Sequence, residues 1–126
     1  MMPPASKPAI LLLCLALFWG SMLSADEIAD PAADQKQAID RMHEKLHHDQ
    51  APFKAREAQT LKELNEMTIR EDVSLDEVNA KIDELMAAKT AIMRLRYAHL
   101  VEMRAILTDA QKVKYDKGVL GRTEVK

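Results

Sequence analysis

A chain of 126 residues, 48% hydrophobic and 30% charged, is long enough for one small domain. Its net charge of −2, with cations and anions interleaved along the chain, leaves no basic face for nucleic acid. The single cysteine, Cys14, excludes a disulfide framework, a zinc ribbon and thiol redox chemistry from everything that follows it.

Residues 9–25 (AILLLCLALFWGSMLSA) carry no charge and follow the lone cation Lys7. Residues 1–25 therefore read as a signal peptide or an N-terminal membrane anchor, with an apolar stretch at the lower limit for spanning a bilayer. Ser24 and Ala25 offer small residues for cleavage, whereas Leu23 at the −3 position suits signal peptidase poorly. Lys7 before the segment, with Asp26, Glu27 and Asp30 after it, places residues 26–126 outside the cytoplasm.

Between Phe53 and Lys117 there is neither Pro nor Gly, and the exported part reads as all-α. Asp30-Pro31 is an N-cap followed by an N1 proline, opening a helix through Ile39, Met42 and Leu46 to about Asp49. Pro52 is expected to break or kink it, with a restart at Phe53. The next segment places Phe53, Ala58, Leu61, Leu64 and Met67 at roughly helical spacing and ends near Glu71-Asp72. Ser74 and Glu77 then form a capping box. In the long helix that follows, Val78, Leu85, Ile92, His99 and Ile106 are each seven apart, with Leu75, Ile82 and Met103 on companion positions. Thr108 to Gln111 is a second capping box, opening a short final helix with Val113 and Tyr115; Gly118 and Gly121 end order near the tail. The expected architecture is a hairpin of long antiparallel helices with a short C-terminal helix. Its single apolar face is thin, which predicts a homodimer.

Three of the four histidines fall between Asp40 and Asp49. His43 and His47 are four apart, so both imidazoles leave one helix face, and His99 and Met103 have the same spacing. Alone, His99 reads as a buried histidine bonded to a neighbour or as a register-setting seam residue, and Met103 as core filler. The turn decides whether the pairs meet. With a hairpin centred on Val73, facing residue numbers sum to about 146, which sets His47 opposite His99 and His43 opposite Met103. Three imidazoles suit Ni(II), Co(II), Zn(II) or Cu(II), and a thioether adds affinity for the softer end, including Cu(I). Asp40, Glu44, Asp49 and Glu102 are the carboxylates near enough in sequence to complete the coordination.

His43-Glu44-Lys45-Leu46-His47 also matches the H-E-x-x-H zinc-protease pattern. That chemistry requires a sheet-flanked cleft and a third ligand, and a helical chain of this length has room for neither. No enzyme is expected.

The run from His99 to Gln111, followed by Tyr115-Asp116, resembles the periplasmic cobalt–nickel sensors of the CnrX type in the heavy-metal resistance group. That group shares a helical hairpin, and an L-T-x-x-Q motif matched by Leu107-Thr108-Asp109-Ala110-Gln111, with the Spy/CpxP-like periplasmic chaperones. The resemblance implies that His43, His47, His99 and Met103 bind Ni(II) or Co(II). It further implies that a membrane-anchored periplasmic sensor passes the metal state to a membrane-bound anti-sigma factor, inducing efflux. Those sensors also supply a glutamate from the second helical segment, where Glu63 stands here. The hairpin arithmetic puts Glu63 opposite Asp83, about 24 Å along the helix from His47. The alternative reading is a Spy/CpxP-like chaperone or metal buffer.

Overall fold

The computed structural model describes Ile28 and residues 31–122. The apolar segment 9–25 and the expected N-cap Asp30 lie outside the described residues. Among the described residues there are three helices and no strand: α1 (Ala33–Thr68), α2 (Leu75–Ala105) and α3 (Asp109–Leu120). No described helix is long and apolar enough to cross a membrane.

Residues 33–107 form one compact unit, the antiparallel hairpin of α1 and α2. Helix α1 starts at Ala33, two residues beyond Pro31, and it runs unbroken through Pro52. The expected break at Pro52 does not occur. Pro52 lies on the exposed face, and the α1 residues beside it are held by packing on α2. Gln50 Nε2 donates to the Ile92 carbonyl oxygen (3.2 Å) and Leu46 is buried. These contacts before the proline, with buried Thr60 and the Glu57–Lys89 pair after it, offset a penalty of about 3 kcal/mol for a proline in a helix interior.

Helix α1 ends at Thr68, a few residues before the expected Glu71-Asp72, and the turn starts at Ile69. Arg70 N bonds Met67 O (3.2 Å), and the Arg70 guanidinium spans Asp72 (3.1 Å) and Glu77 (3.0 Å). Ser74 caps α2 by accepting from Glu77 N at 3.2 Å. The expected reciprocal bond is replaced, because the Glu77 carboxylate turns to Arg70.

Two rows of side chains, each seven residues apart, meet along the hairpin. Ile39, Leu46, Phe53, Thr60 and Met67 come from α1; Val78, Leu85, Ile92 and His99 come from α2, and Ile106 from its C-cap. All are buried or half-buried. The α2 row is the expected heptad stripe. Ala58 and Leu61 of α1 turn outward, and Glu57 and Thr60 occupy the seam in their place. Leu75 and Ile82 also leave the seam, with Leu75 78% exposed, whereas their companion Met103 is fully buried. Lys89 reaches Glu57 (2.9 Å) and Lys81 reaches Glu63 (3.1 Å) across the arms. These facing pairs have residue numbers summing to 146 and 144, close to the expected register, whereas toward the open end the Gln50–Ile92 and Gln35–Ile106 contacts sum to 142 and 141, about one helical turn away from it.

In the second unit, α3 is opened by a complete capping box: Thr108 N donates to Gln111 Oε1 (2.9 Å) and Gln111 N to Thr108 Oγ1 (3.3 Å). These are the Thr and Gln of the L-T-x-x-Q motif, so the motif has a structural job: it satisfies the amides that a helix start leaves open. The helix passes through Gly118, where an end had been expected, and closes on Gly121, whose N–H bonds Lys117 O at 3.0 Å.

Pro52→Ala restores a backbone donor to an unbroken helix. It should raise hairpin stability by about 1–3 kcal/mol in urea denaturation. A loss of stability would mean that the proline is needed where it stands.

Candidate metal centre

The heptad rows carry His43 and His99 to the same level of the seam. His43 lies seven residues before Gln50 on α1, and His99 lies seven after Ile92 on α2, so the Gln50–Ile92 hydrogen bond fixes both. Their ring centroids are 5.0 Å apart with planes tilted by 40°. His99 is only 7% exposed, and Met103, one turn further along α2, is wholly buried. His47, one turn after His43, is exposed, as is His48.

Burial pushes the His99 imidazole below the ordinary histidine value. The neighbouring His43 ring adds to this, the Glu102 carboxylate opposes it, and His47 contributes a further lowering. His47 is therefore within electrostatic reach of His99, although its ring sits at the surface. The direction of the shift keeps His99 neutral near pH 7, the form in which an imidazole nitrogen coordinates a metal.

An imidazole nitrogen binds a transition metal at about 2.0–2.1 Å, which puts the ion roughly 3.2 Å from the ring centroid; two rings sharing an ion then lie about 4.5–5.2 Å apart. The 5.0 Å separation of His43 and His99 fits that range. Among the described residues, however, no three His, Cys, Asp or Glu side chains are already gathered around one point. The structure thus brings together His43 and His99, with Met103 one turn along in the core, and leaves His47 one turn away on the surface.

The candidate carboxylates are dispersed. Asp49 is taken by Lys45 at 2.7 Å, and Asp40 and Glu44 are exposed. Glu102 is exposed too, although its field reaches His99. Glu63 is held below its usual value by Gln59 and then by the Lys81 ammonium, at the far end of the hairpin from the histidines.

Sequence reading missed Gln50 and Gln35. Gln35 Nε2 donates to the Ile106 carbonyl oxygen (3.2 Å), bracketing the histidine level from the other side. The missed signal was the seven-residue row running from His43 through Gln50 to Glu57 and Leu64, in which polar residues occupy seam positions.

Residues 26–118 match the family model described as LTXXQ motif family protein. Neither a curated protein nor a solved structure matches the chain significantly.

The lowered His99 value sets a sign for pH. Above about pH 6.5 the imidazole is neutral in both states and contributes no pH dependence; as pH falls through 6.5 the unfolded chain takes up a proton that the fold resists. Stability of the metal-free protein should therefore fall between pH 7.5 and 5.5, and His99→Leu should flatten that fall. Equal slopes for the two proteins in urea denaturation would contradict the assignment.

Proposed function

The chain belongs to the LTXXQ motif family of Spy/CpxP-like periplasmic proteins, and from that premise we propose that it is a periplasmic heavy-metal sensor. It would take Ni(II) or Co(II), with Zn(II) and copper as competitors. The observation that carries this reading is the His43–His99 pair, two imidazoles from opposite arms at a separation suited to one ion. Met103, buried one turn beyond His99 on α2, would supply a thioether. His47 completes a three-imidazole, one-thioether set when its side chain turns in from the surface. Such a set is borderline to soft, and it contains no thiolate to select structural zinc.

The physical consequence is linkage between the arms. The hairpin is held by a thin seam in which Gln50, Thr60 and His99 take buried positions. An ion bound by both arms stabilises their mutual position by its differential affinity for that arrangement. The tightened state would be read by a membrane-bound anti-sigma factor, with residues 9–25 retained as the anchor.

A second reading, a Spy/CpxP-like chaperone or metal buffer, is favoured by the exposed apolar side chains of α2. Calorimetric titration of the protein with Ni(II), Co(II), Cu(II) and Zn(II) separates the two. The sensor reading predicts a saturable site weakened at least about tenfold by His99→Ala. Wild-type affinity in both His99→Ala and a His43→Ala/His47→Ala double variant would sink it. Suppression of client aggregation that is indifferent to His99→Ala would support the chaperone.

A further inference from the structure

A second apolar stripe runs along the outside of α2, through Leu75, Ile82, Met86, Met93, Tyr97 and Val101. The charges beside it change sign half-way. Residues 75–88 carry Asp76, Glu77, Asp83 and Glu84 against the single cation Lys81. Residues 89–105 carry Lys89, Arg94, Arg96 and Arg104 against the single anion Glu102. The balance of cations and anions over the whole chain hides this basic half.

At about 100° per residue, Arg96, Leu100, Met93, Arg104, Tyr97, Val101 and Arg94 follow one another around α2, over an arc of about 160°. Arginine thus borders the apolar surface on both sides, and Glu102 falls outside the arc. Met93 is 48% exposed, Tyr97 57% and Val101 71%. Lys89 is engaged by Glu57, whereas Arg94 and Arg96 enter no ion pair among the described residues. The facing arm has no such surface: residues 33–50 of α1 carry Asp34, Asp40, Glu44 and Asp49 against Lys36, Arg41 and Lys45. Apolar side chains and a tyrosine set between exposed arginines are the chemistry of a helix lying in the headgroup layer of a bilayer. The apolar surface enters the acyl boundary, the phenol stays at its wet edge, and the guanidinium groups bond phosphate oxygens.

We propose that the 89–105 half of α2 docks on a bilayer surface rich in anionic phospholipid. The acidic half is repelled by the same surface, so the hairpin lies tilted, with its open end on the bilayer and its turn raised into solvent. Chain length supplies the proximity. Residues 26–32 span at most about 25 Å, so with residues 9–25 retained as the anchor the start of α1 stays within that distance of the bilayer. The Gln35–Ile106 hydrogen bond holds the end of α2 beside it. The docking rests on the anchor reading for proximity alone; recognition belongs to α2, and none of His43, His47, His99 and Met103 takes part.

Quenching of a fluorescent label by brominated phospholipid tests this. The full chain carries Cys14→Ser and one labelled cysteine, introduced by Val101→Cys or, as a control on the acidic half, by Asp76→Cys. It is combined with vesicles of brominated phosphatidylglycerol or of brominated phosphatidylcholine. Phosphatidylglycerol should quench the label at 101 at least about fivefold more than the label at 76, and more than phosphatidylcholine quenches either. Arg94→Glu/Arg96→Glu should reduce the quenching at 101 at least about tenfold, and Arg94→Lys/Arg96→Lys should retain it. If the glutamate variant loses helix content, salt decides instead: about 0.5 M NaCl should release the label at 101. Three results would each overturn the proposal: equal quenching at 101 by the two lipids, quenching indifferent to both the glutamates and salt, or a label at 101 that stays in water on phosphatidylglycerol. The last, on vesicles that hold the protein through residues 9–25, would leave the anchor intact and give the face to a protein partner. A protein that has lost its leader yet is still quenched at 101 would refute the anchor and uphold the docking.

Discussion

A two-helix hairpin has one coordinate that apolar packing fixes weakly: the slide of one arm along the other. In this protein that slide is set by polar contacts placed in the seam. The Gln50 amide donates to the Ile92 carbonyl and the Gln35 amide to the Ile106 carbonyl, both at 3.2 Å. Lys89 with Glu57 and Lys81 with Glu63 add cross-arm contacts nearer the turn. A shift of one residue would strand the buried Gln50 amide without its acceptor, a cost that a leucine in the same place would not impose. Exposed ion pairs add little energy each, so the buried amide is the stronger constraint on the slide.

That register gives His99 its surroundings. The level at which Gln50 meets Ile92 places His43, one heptad earlier, and His99, one heptad later, against each other. A histidine at a buried seam position is a poor core residue, since the His99 ring is held toward its neutral form by burial and must find partners for its nitrogens. The cost is borne beside Ile39 and Met103, the most fully buried side chains of the hairpin, at the level where an ion held by both arms would tie α1 to α2. The family's L-T-x-x-Q motif serves a different end of the structure, opening α3 through the Thr108–Gln111 capping box.

The sequence made the helices and the turn legible because each rests on local signals: the Ser74 and Thr108 caps, the absence of Pro and Gly between Phe53 and Lys117, and the α2 heptads. Pro52 misled because a local penalty of a few kcal/mol is outweighed by packing that only the hairpin supplies. Ala58 and Leu61 misled because hydrophobicity was taken as a mark of the seam, which here admits Glu57 and Thr60. That the histidine level of α1 meets that of α2 was within reach of hairpin arithmetic, although the arithmetic set His47 opposite His99 and His43 opposite Met103, about one helical turn from the observed His43–His99 pairing. The outward turn of His47 was not, since a side chain's direction follows from the crossing of the arms and not from spacing along one of them. The second stripe on α2 was hidden for a related reason: Leu75 and Ile82 were assigned to the first stripe, leaving Met86 and Met93 without a pattern.

The central claim is that one ion ties the two arms together, and metal-linked stability in a double-variant cycle tests it most directly. Urea denaturation of the wild type, His43→Ala, His99→Ala and the double variant would be compared with and without Ni(II). If the arms share one ion, metal at 100 times the dissociation constant stabilises the wild type by about 2.7 kcal/mol. Each single variant should lose most of that gain, and the double variant little more than either. Full metal stabilisation in His99→Ala, or losses that simply add in the double variant, would show that α1 binds metal by itself and would contradict the account.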